Sequence, residues 1–449
     1  MSEKQMQINT QPITGFVELL PEEQLLFEQM KSTIENSYRL FGFVPIDTPT
    51  IERLEVLLAK VGGETEKQIY RIQRDNSEQA LRFDLTVPLA RYVAEHYADL
   101  NFPFRRYHIA KVFRGERPQK GRFREFFQAD IDIIGDNELA LTHDAEVVAV
   151  ISHTFKSLGF SNFVIHINNR KILNGFLASI GKQETSVEAL RIIDKLEKIG
   201  VAEVKSELSQ LGFDAAAIDK FITLVSQQGD SKTVFQTLNS ISVDNELFTV
   251  GVKELQEVID MLQVLDVAPE NYVVDLSIAR GLDYYTGTVY ETFLRDCPSM
   301  GSVCSGGRYD NLAEFYTTRK LPGVGISIGI TRLFAQLLAL GVFKTGRATP
   351  AEILVIPMAD NVRYATQIAS TIRGLGIATQ VYLDQAKTKK KFTFASKQKF
   401  DFVIIVGEDE EKEQTFSLKN FSTGEQTTYP LAKLKTVIQN SISNVRENM

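Results

Sequence analysis

The fold is decided by two neighbouring runs of sequence, RYHIAKVFR at residues 106–114 and EFFQADIDIIG at residues 125–135. Both runs predict β-strands, and polar and apolar residues alternate along the second, which is typical of a strand with one buried face. The residues between them then form the long loop of a hairpin. From Arg105 to Arg124 the chain holds eight Lys and Arg residues and a single acid, Glu116. Such a loop is either simply solvated or binds a polyanion such as a nucleotide triphosphate, because arginine forks match phosphate oxygens.

The residues before the hairpin predict helices and extended segments. Apolar residues recur at helical spacing from Pro21 to Phe41, and an extended segment follows as far as Pro49. Residues 51–61 are predicted to form a second helix. Residues 78–86 predict a strand that leads into a helix.

Several polar or glycine-rich stretches are candidate ligand-binding segments. Asp84 and Thr86 lie where a predicted strand ends, although Thr86 would equally suit a helix N-cap. RGLDYYTG at residues 280–287 places a cation, an acid and two phenols beside two glycines; the alternative is a strand edge with tyrosines packed inside. GGRYD at residues 306–310 permits close backbone approach to a ligand. GVGISIGITRL at residues 323–333 predicts a glycine-spaced strand that enters a helix, a weak nucleotide signal by itself.

The second half of the chain changes its pattern twice. Residues 170–265 are almost entirely helical in pattern and predict an inserted helical segment. Residues 344–350 (KTGRATP) are typical of a linker. Beyond them, predicted strands alternate with predicted helices, which indicates a small α/β domain with a mostly parallel sheet.

Composition excludes several classes of protein. The chain has 449 residues, 43% of them hydrophobic and 24% charged, with a net charge of −7. It shows neither a membrane-length apolar run nor a signal peptide, so we expect a cytoplasmic protein without membrane contact. Cys297 and Cys304 match no zinc pattern, and the five histidines show no metal-binding spacing, so no protein-held metal is predicted.

Positive charge is concentrated near the C-terminus. Residues 351–449 hold 13 Lys and Arg against 11 Asp and Glu, whereas the rest of the chain is strongly acidic. A group of lysines runs from Lys387 to Lys399 without an intervening acid, and Phe392 and Phe394 lie among them. Local basic patches rather than net charge decide phosphate binding, and the alternative is a solvated lysine-rich face.

Several of these stretches together resemble class II aminoacyl-tRNA synthetases. Phe113-Arg114-x-Glu116 on the hairpin resembles motif 2, Arg332 at its strand–helix junction resembles motif 3, and the segment ending at Pro49 resembles motif 1. RGLDYY at residues 280–285 and GGRYD at residues 306–310 are similar to the two histidine-specific motifs of the histidine–tRNA ligase family. The resemblance spans nearly the whole chain, and several independent motifs occur in the right order.

The resemblance implies an α/β protein of defined organisation. Residues 1–340 would form an α+β catalytic core in which an antiparallel sheet is flanked by helices. A helical insertion would occupy about residues 170–265 of that core. Residues 341–350 would form a linker, and residues 351–449 a C-terminal α/β anticodon-binding domain.

The resemblance also assigns two sets of site residues. The ATP-binding residues are Arg114, Glu116, Arg122, Phe126 and Arg332, and the histidine-binding residues are Asp84, Thr86, Gln128, Asp132, Tyr285 and Tyr309. Arg114 would grip the α-phosphate, Glu116 the adenine amino group and Arg122 the terminal phosphates. Phe126 and Arg332 would sandwich the adenine ring, a stacking role that suits both side chains.

Catalysis would depend on Arg280 together with Arg114. Attack of the histidine carboxylate on the α-phosphorus concentrates negative charge, which a fixed guanidinium stabilises without a protein-bound metal. Mg²⁺ would accompany the triphosphate. Many bacterial members carry Glu where this chain has Asp84, so at this position the chain resembles the eukaryotic-type branch. The shorter acid leaves open whether its contact with histidine is direct or through water.

The implied function is ATP-dependent ligation of L-histidine to the 3′ end of tRNA(His) through a histidyl-adenylate, with release of AMP and diphosphate. A homodimer formed through motif 1 is implied as well. The alternative is a non-catalytic, histidine-sensing paralogue like the regulatory subunit of ATP phosphoribosyltransferase. That subunit usually lacks the C-terminal domain and the catalytic arginines, whereas this chain has Arg114, Arg280 and Arg332.

Overall fold

The chain divides into two compact units. A computed structural model describes residues 8–59, 66–74, 77–117, 121–241, 243–278, 285–311, 313–358 and 360–447. The first unit comprises Met1–Val17 and Met30–Val342, and the second comprises Glu18–Gln29 and Phe343–Met449. Within the described ranges, no helix is both long and apolar enough to cross a membrane.

The first unit is built on one large sheet. Its strands are, in chain order, β1 (Val44–Pro45), β2 (Ile51–Arg53), β3 (Arg71–Arg74), β4 (Ser77–Leu81), β5 (Phe104–Phe113), β6 (Glu125–Ile134), β7 (Phe163–Asn169), β8 (Gln228–Gly229), β9 (Tyr272–Asp275), β10 (Thr288–Leu294), β11 (Cys304–Tyr309) and β12 (Gly323–Ile328). Nine strands form a sheet in the order β1-β5-β6-β12-β11-β10-β7-β9-β8, and β2-β4-β3 form a three-stranded sheet. In the large sheet the pairs β1–β5 and β7–β9 are parallel. Its other pairs are antiparallel.

Helices cover the sheet and fill the central part of the sequence. They are α1 (Pro21–Leu40), α2 (Leu54–Leu58), α3 (Thr86–Glu95), α4 (Thr142–Ser157), α5 (Arg170–Ser179), α6 (Ser186–Ile193), α7 (Leu196–Gln210), α8 (Ala215–Val225), α9 (Ser231–Ser240), α10 (Glu246–Val264) and α11 (Ile330–Ala339). The helical pattern predicted for residues 170–265 is confirmed, because only the two-residue β8 interrupts α5 to α10 among the described residues.

The hairpin prediction is confirmed. Strands β5 and β6 pair without a bulge from Phe104 opposite Ile134 to Phe113 opposite Glu125. Alternate residues of β6, among them Ile131 and Ile133, are fully buried in the apolar core. The opposite face of β6 therefore carries its polar residues, as the period of two requires.

The helix predicted over residues 51–61 is wrong at its start. Residues 51–53 form β2, and only Leu54–Leu58 are helical. Glu52 lies opposite Ala80 of β4 and its carboxylate is buried against Arg91, with Oε1 2.9 Å from Nη2. The Glu52–Arg91 ion pair and the pairing of β2 with β4 stabilise a strand at residues that the apolar spacing alone predicted to be helical.

The second unit is an α/β domain with a mixed sheet. Its elements are β13 (Ile353–Pro357), α12 (Val362–Arg373), β14 (Thr379–Val381), α13 (Thr388–Gln398), β15 (Phe402–Val406), α14 (Glu408–Glu413), β16 (Thr415–Asn420), β17 (Gln426–Pro430) and α15 (Leu434–Glu447). The strand order is β14-β13-β15-β16-β17. The predicted parallel pairing holds for β14, β13 and β15, but β16 and β17 add antiparallel pairs that the prediction did not include.

Candidate active site

Polar side chains line one face of the large sheet near its middle. Gln128, Asp130 and Asp132 alternate with apolar residues along β6 and share this face. The registers place Asp130 opposite both His108 of β5 and Ser327 of β12. Across β11 and β10 the same row continues with Ser305 and then Glu291. A row of ionisable and hydroxyl side chains therefore runs across five strands.

Two adjoining cavities open over this face. The first has a volume of about 460 Å³ and the second about 350 Å³. Six residues line both cavities, namely Arg114, Gln128, Ser302, Ser305, Ser327 and Arg332. These residues mark a common border, so ligands in the two cavities would meet there.

Most residues assigned by resemblance line only one of these cavities, and Arg114, Gln128 and Arg332 line both. The first is lined by the histidine set, Asp84, Thr86, Gln128, Asp132, Tyr285 and Tyr309. The second is lined by the nucleotide set, Arg114, Glu116, Arg122, Phe126 and Arg332. Arg280 lies outside the described residues, so its place in the site stays a prediction.

Glycines give this pocket its shape by leaving room for protein side chains. A Cβ atom added to Gly325 would lie closer than 3.0 Å to Asp132 Oδ1, and one added to Gly323 would lie closer than 3.0 Å to ring atoms of Tyr309. A Cβ atom on Gly307 would lie 3.0 Å from Cδ1 of Tyr285. The sequence predicted a close approach of the backbone at residues 306–310 to a ligand. At Gly307 the group that approaches closely is the side chain of Tyr285, which lines the pocket.

Asp132 is held on both sides by other protein groups. The Tyr309 hydroxyl donates a hydrogen bond of 2.7 Å to Asp132 Oδ1, and Arg106 forms an ion pair with Oδ2. Burial raises the pKa of Asp132 to about 6, although Arg106 and Tyr309 oppose the rise. With both oxygens engaged, Asp132 positions the Tyr309 hydroxyl in the first cavity.

Within the described part of the chain, Asp130, unlike Asp132, is not held by protein groups through both of its carboxylate oxygens. Only 2% of it is exposed, and burial raises its pKa to about 7 in spite of the nearby Arg106 and a hydrogen bond with Ser327. Gln128 Nε2 donates to the same Ser327 hydroxyl at 2.7 Å. Among the described residues, neither Asp130 Oδ1 nor Gln128 Oε1 has a hydrogen-bond partner, although both atoms are buried.

Asp84 has a structural role at the start of α3. Its Oδ1 accepts hydrogen bonds from the backbone N–H groups of Thr86 and Val87, at 3.2 and 2.9 Å. Burial raises the pKa of Asp84, and these hydrogen bonds and Arg114 oppose the rise. The alternative of Thr86 as a helix N-cap is wrong, because Thr86 is the first helical residue and Leu85 is the cap, without a side-chain hydrogen bond.

Side chains of the cationic loop and of the strands beside it line the second cavity. The Arg114 guanidinium lies 4.5 Å from the ring centroid of Phe83 and 5.1 Å from that of Phe126. Arg122 Nη1 lies 3.3 Å from Glu116 Oε2, within ion-pair distance. Arginine and aromatic faces stacked in this way provide a flat, cationic surface suited to a nucleotide.

Sequence reasoning missed Arg106, Asp130 and Ser327. Period-two alternation along β6 already places Asp130 on the same face as Gln128 and Asp132, and that signal could have identified it. Arg106 and Ser327 reach the site through strand register, which one strand's pattern does not reveal. Cys297 and Cys304 are both buried and unpaired, as expected for small core residues.

Comparison with known proteins connects this geometry with one family. Residues 15–333 match the family described as histidyl-tRNA synthetase, and residues 352–441 match the family described as anticodon binding domain. The chain is 53% identical over 430 residues to the histidine–tRNA ligase of Clostridium tetani, which covers 96% of this chain and 98% of the relative.

Solved structures show the same fold. The histidyl-tRNA synthetase from Nostoc sp. PCC 7120 superposes with a TM-score of 0.89 at 40% identity, covering 97% of this chain and 100% of that one. A Bacillus halodurans protein, described as an ATP phosphoribosyltransferase regulatory subunit/histidyl-tRNA synthetase, has a TM-score of 0.75 at 21% identity, with 90% and 99% covered. At that identity the second likeness concerns the fold alone.

Proposed function

The chain belongs to the histidyl-tRNA synthetase family, and we propose that its two adjoining cavities are the sites at which L-histidine and ATP meet. It is a class II aminoacyl-tRNA synthetase that ligates histidine to tRNA with ATP. The observation that carries the site proposal is the common border. Apart from Arg114, Gln128 and Arg332, which line both cavities, the histidine set lines the first cavity and the nucleotide set lines the second. The reaction joins the two substrates, so their reacting atoms must meet at such a border.

The first step forms a histidyl-adenylate. A carboxylate oxygen of histidine attacks the α-phosphorus of ATP, and the bond to the bridging oxygen breaks, so that diphosphate leaves with the electron pair. Arg114 lies at the border and has the charge needed to bind the α-phosphate. Arg280 is proposed to stabilise the charge that develops in the transition state. In the second step a hydroxyl of the terminal ribose of tRNA attacks the activated carbonyl, and AMP leaves.

ATP is proposed to lie in the second cavity. Phe126 and Arg332 offer the two faces between which adenine would stack, and Arg122 offers a cation for the terminal phosphates. Arg122 lies within ion-pair distance of Glu116, and we propose that with ATP bound Arg122 contacts phosphate while Glu116 contacts the adenine amino group. Mg²⁺ would enter with the triphosphate as part of the substrate.

Histidine is proposed to lie in the first cavity, beneath Tyr285 and Tyr309. A site lined by buried polar groups rejects ligands that leave those groups unpaired. Asp84 reaches the ligand from the start of α3, and Thr86 lies beside it. Gln128 and the Asp132–Tyr309 pair line the same cavity from β6 and β11.

The second unit is proposed to bind the anticodon of tRNA(His). Residues 352–441 match the anticodon binding domain, and the basic stretch forms α13 and its flanks. Lys391 does not face solvent, because it is buried and its Nζ donates to the Pro357 carbonyl at 2.6 Å. Lys387, Lys389 and Lys390 are exposed and so remain candidates for phosphate contacts.

The remaining expectations from the sequence are part of the same proposal. The catalytic core would comprise residues 1–340, the linker residues 341–350 and the anticodon-binding domain residues 351–449. The protein would work in the cytoplasm. It would form a homodimer through the extended segment that ends at Pro49.

The test is amino-acid-dependent ATP–diphosphate exchange by the full chain. We expect exchange with histidine and not with the other amino acids, and its loss in Arg280→Ala and Arg114→Ala. Arg363→Ala, an exposed arginine of α12 in the second unit, is the matched control and should exchange normally. Exchange driven by another amino acid would overturn the substrate assignment. Histidine binding without exchange would instead favour the histidine-sensing paralogue.

A further inference from the structure

We propose that Asp130 is a further specificity-determining residue of the histidine pocket, whose carboxylate accepts a hydrogen bond from the ring of histidine bound as the imidazolium cation. The inference rests on the proposed function, because it takes histidine as the occupant of the first cavity. Asp130 was not among the residues assigned by resemblance. It lines the first cavity and not the second.

Two buried acceptor atoms on one strand point to a ligand with donors. Asp130 Oδ1 and Gln128 Oε1 lie on the same face of β6, and among the described residues neither has a hydrogen-bond partner. Buried acceptors without partners are costly and uncommon in native proteins. Same-face neighbours on a strand are roughly 7 Å apart, a spacing suited to the two ends of one amino acid.

Four carboxylates line the first cavity, those of Asp84, Asp130, Asp132 and Glu291. Asp132 is held by Tyr309 and Arg106, and Asp84 Oδ1 accepts two backbone N–H groups of α3. Of these four carboxylates, Asp130 is the one that has a buried oxygen without a hydrogen-bond partner among the described residues, and that oxygen is left for a ligand.

The common border fixes the direction of the ligand. The carboxylate of histidine must reach the α-phosphate, and Arg114 and Gln128 line both cavities. The reacting end of the ligand then lies at Gln128, whose Oε1 suits the α-ammonium group. From there β6 leads to Asp130 and Asp132, which line only the first cavity. The imidazole ring, at the far end of the ligand, consequently lies beside Asp130.

The surrounding charges favour a cationic ring. Among the groups that face Asp130, the buried cations are Arg106, which already pairs with Asp132, and Arg82, which pairs with Asp47. Burial and the nearby Arg106 and Arg82 lower the pKa of His108 to about 4, so His108 adds no charge at neutral pH. The titratable or charged groups around Asp130 are Arg106 and His108 of β5, Asp132 of β6, Cys304 of β11, Tyr38 of α1, and Arg82 and Asp84 before α3.

An imidazolium would offset the excess of buried negative charge. The three buried acids Asp84, Asp130 and Asp132 outnumber the two buried guanidiniums near Asp130, those of Arg82 and Arg106. A ring N–H⁺ at Asp130 makes a charge-assisted hydrogen bond, about twice as strong as a neutral one. Near pH 8, where free histidine is neutral at the ring, binding must then take up about one proton.

The test is calorimetric titration of L-histidine into the full chain without ATP. Asp130→Asn keeps the shape of the side chain and removes its charge, and should weaken binding by about 10- to 100-fold. Glu52→Gln is the matched control, because Glu52 is also a buried carboxylate but pairs with Arg91 and lines neither cavity. This control should bind histidine as the unaltered chain does.

A second measurement needs no variant. Titration at pH 8 in buffers of different ionisation enthalpy should show uptake of about one proton per histidine, and the affinity should fall as the pH rises above about 7. A ring-fluorinated histidine, whose imidazole stays neutral, should bind the unaltered chain more weakly than histidine does. It should lose little further affinity in Asp130→Asn.

The outcomes separate this inference from the proposed function. Unchanged histidine affinity in Asp130→Asn, or no proton uptake, would overturn the role of Asp130 and indicate that buried water satisfies its free oxygen. Either result would leave the function intact if the unaltered chain still performs histidine-dependent ATP–diphosphate exchange. If exchange itself is absent, the proposed function fails first.

Discussion

Replacing Gly325 by alanine should distort the first cavity, which we propose binds histidine, because Gly325 lines it next to Asp132. A Cβ atom at Gly325 would lie closer than 3.0 Å to Asp132 Oδ1 and to the carbonyl oxygen of Ile131. The carbonyl oxygen belongs to β6, which is paired with β12 at this point, so it cannot move without opening the sheet. The carboxylate of Asp132 must therefore shift, and with it the hydroxyl of Tyr309.

The size of the effect follows from these contacts. Over-packing a well-packed interior costs about 1–3 kcal/mol. Breaking the 2.7 Å hydrogen bond between Tyr309 and Asp132 adds about 1 kcal/mol. We expect the free energy of unfolding to fall by about 2–4 kcal/mol on these grounds. The KM for histidine should rise at least about fivefold, which corresponds to about 1 kcal/mol of lost binding.

Two assays check both parts of this prediction. Urea unfolding followed by circular dichroism reports stability, and histidine-dependent ATP–diphosphate exchange reports KM. Gly346→Ala is the matched control, because its added Cβ would meet no atom within 4 Å. If Gly325→Ala has the same urea midpoint and the same KM as Gly346→Ala, the glycine is not what makes room for Asp132.

Three further predictions concern buried charges and the basic helix. Asp144→Ala removes the carboxylate that Arg308 grips through Nε and Nη2, at 3.0 and 2.6 Å; it should cost about 3–5 kcal/mol in urea unfolding. Combining it with Arg308→Met should cost less than the sum of the two single changes, and strict additivity would contradict the pairing. Because burial raises the pKa of Asp130 to about 7, above its ordinary value, its ionisation destabilises the folded chain as the pH rises from about 4 to 7. Thermal melting of Asp130→Asn should therefore show a flatter decline over that range, and an unchanged slope would refute the assignment. Lys389→Ala with Lys390→Ala should weaken tRNA charging and reduce its salt slope by roughly one per lost phosphate contact, with diphosphate exchange unchanged. An equal loss of exchange would contradict an anticodon role.

The elements predicted well are those whose pattern is long and local. The hairpin is built from two ten-residue strands, and polar and apolar residues alternate clearly from Gln128 to Ile133 of β6. The short segment at residues 51–61 failed because a three-residue strand is too short to show a period. Residues 51–53 form a strand because they pair with β4, which lies elsewhere in the sequence.

The candidate site was predicted as far as motifs reach. Tyr309 and Arg332 were predicted as site residues because their motifs carry chemistry that can be recognised locally, and both line the cavities. Ser327 was missed because its partner, Gln128, lies 199 residues away along the chain. Strand register decides that contact, and one sequence does not specify the register between β6 and β12.

Selectivity and stability are connected in this pocket. The chain buries Asp130 Oδ1 and Gln128 Oε1, for which its described part offers no hydrogen-bond partner, and around them it buries three acids and two arginines, Arg82 and Arg106. Both features lower the stability of the free protein. In the proposed binding mode, histidine would bring two groups of donors and, as imidazolium, a positive charge. A ligand of similar size without those donors would leave the two acceptors unpaired and the acids in excess. Selectivity for histidine over other amino acids would therefore come from satisfying the same buried groups that lower the stability of the chain.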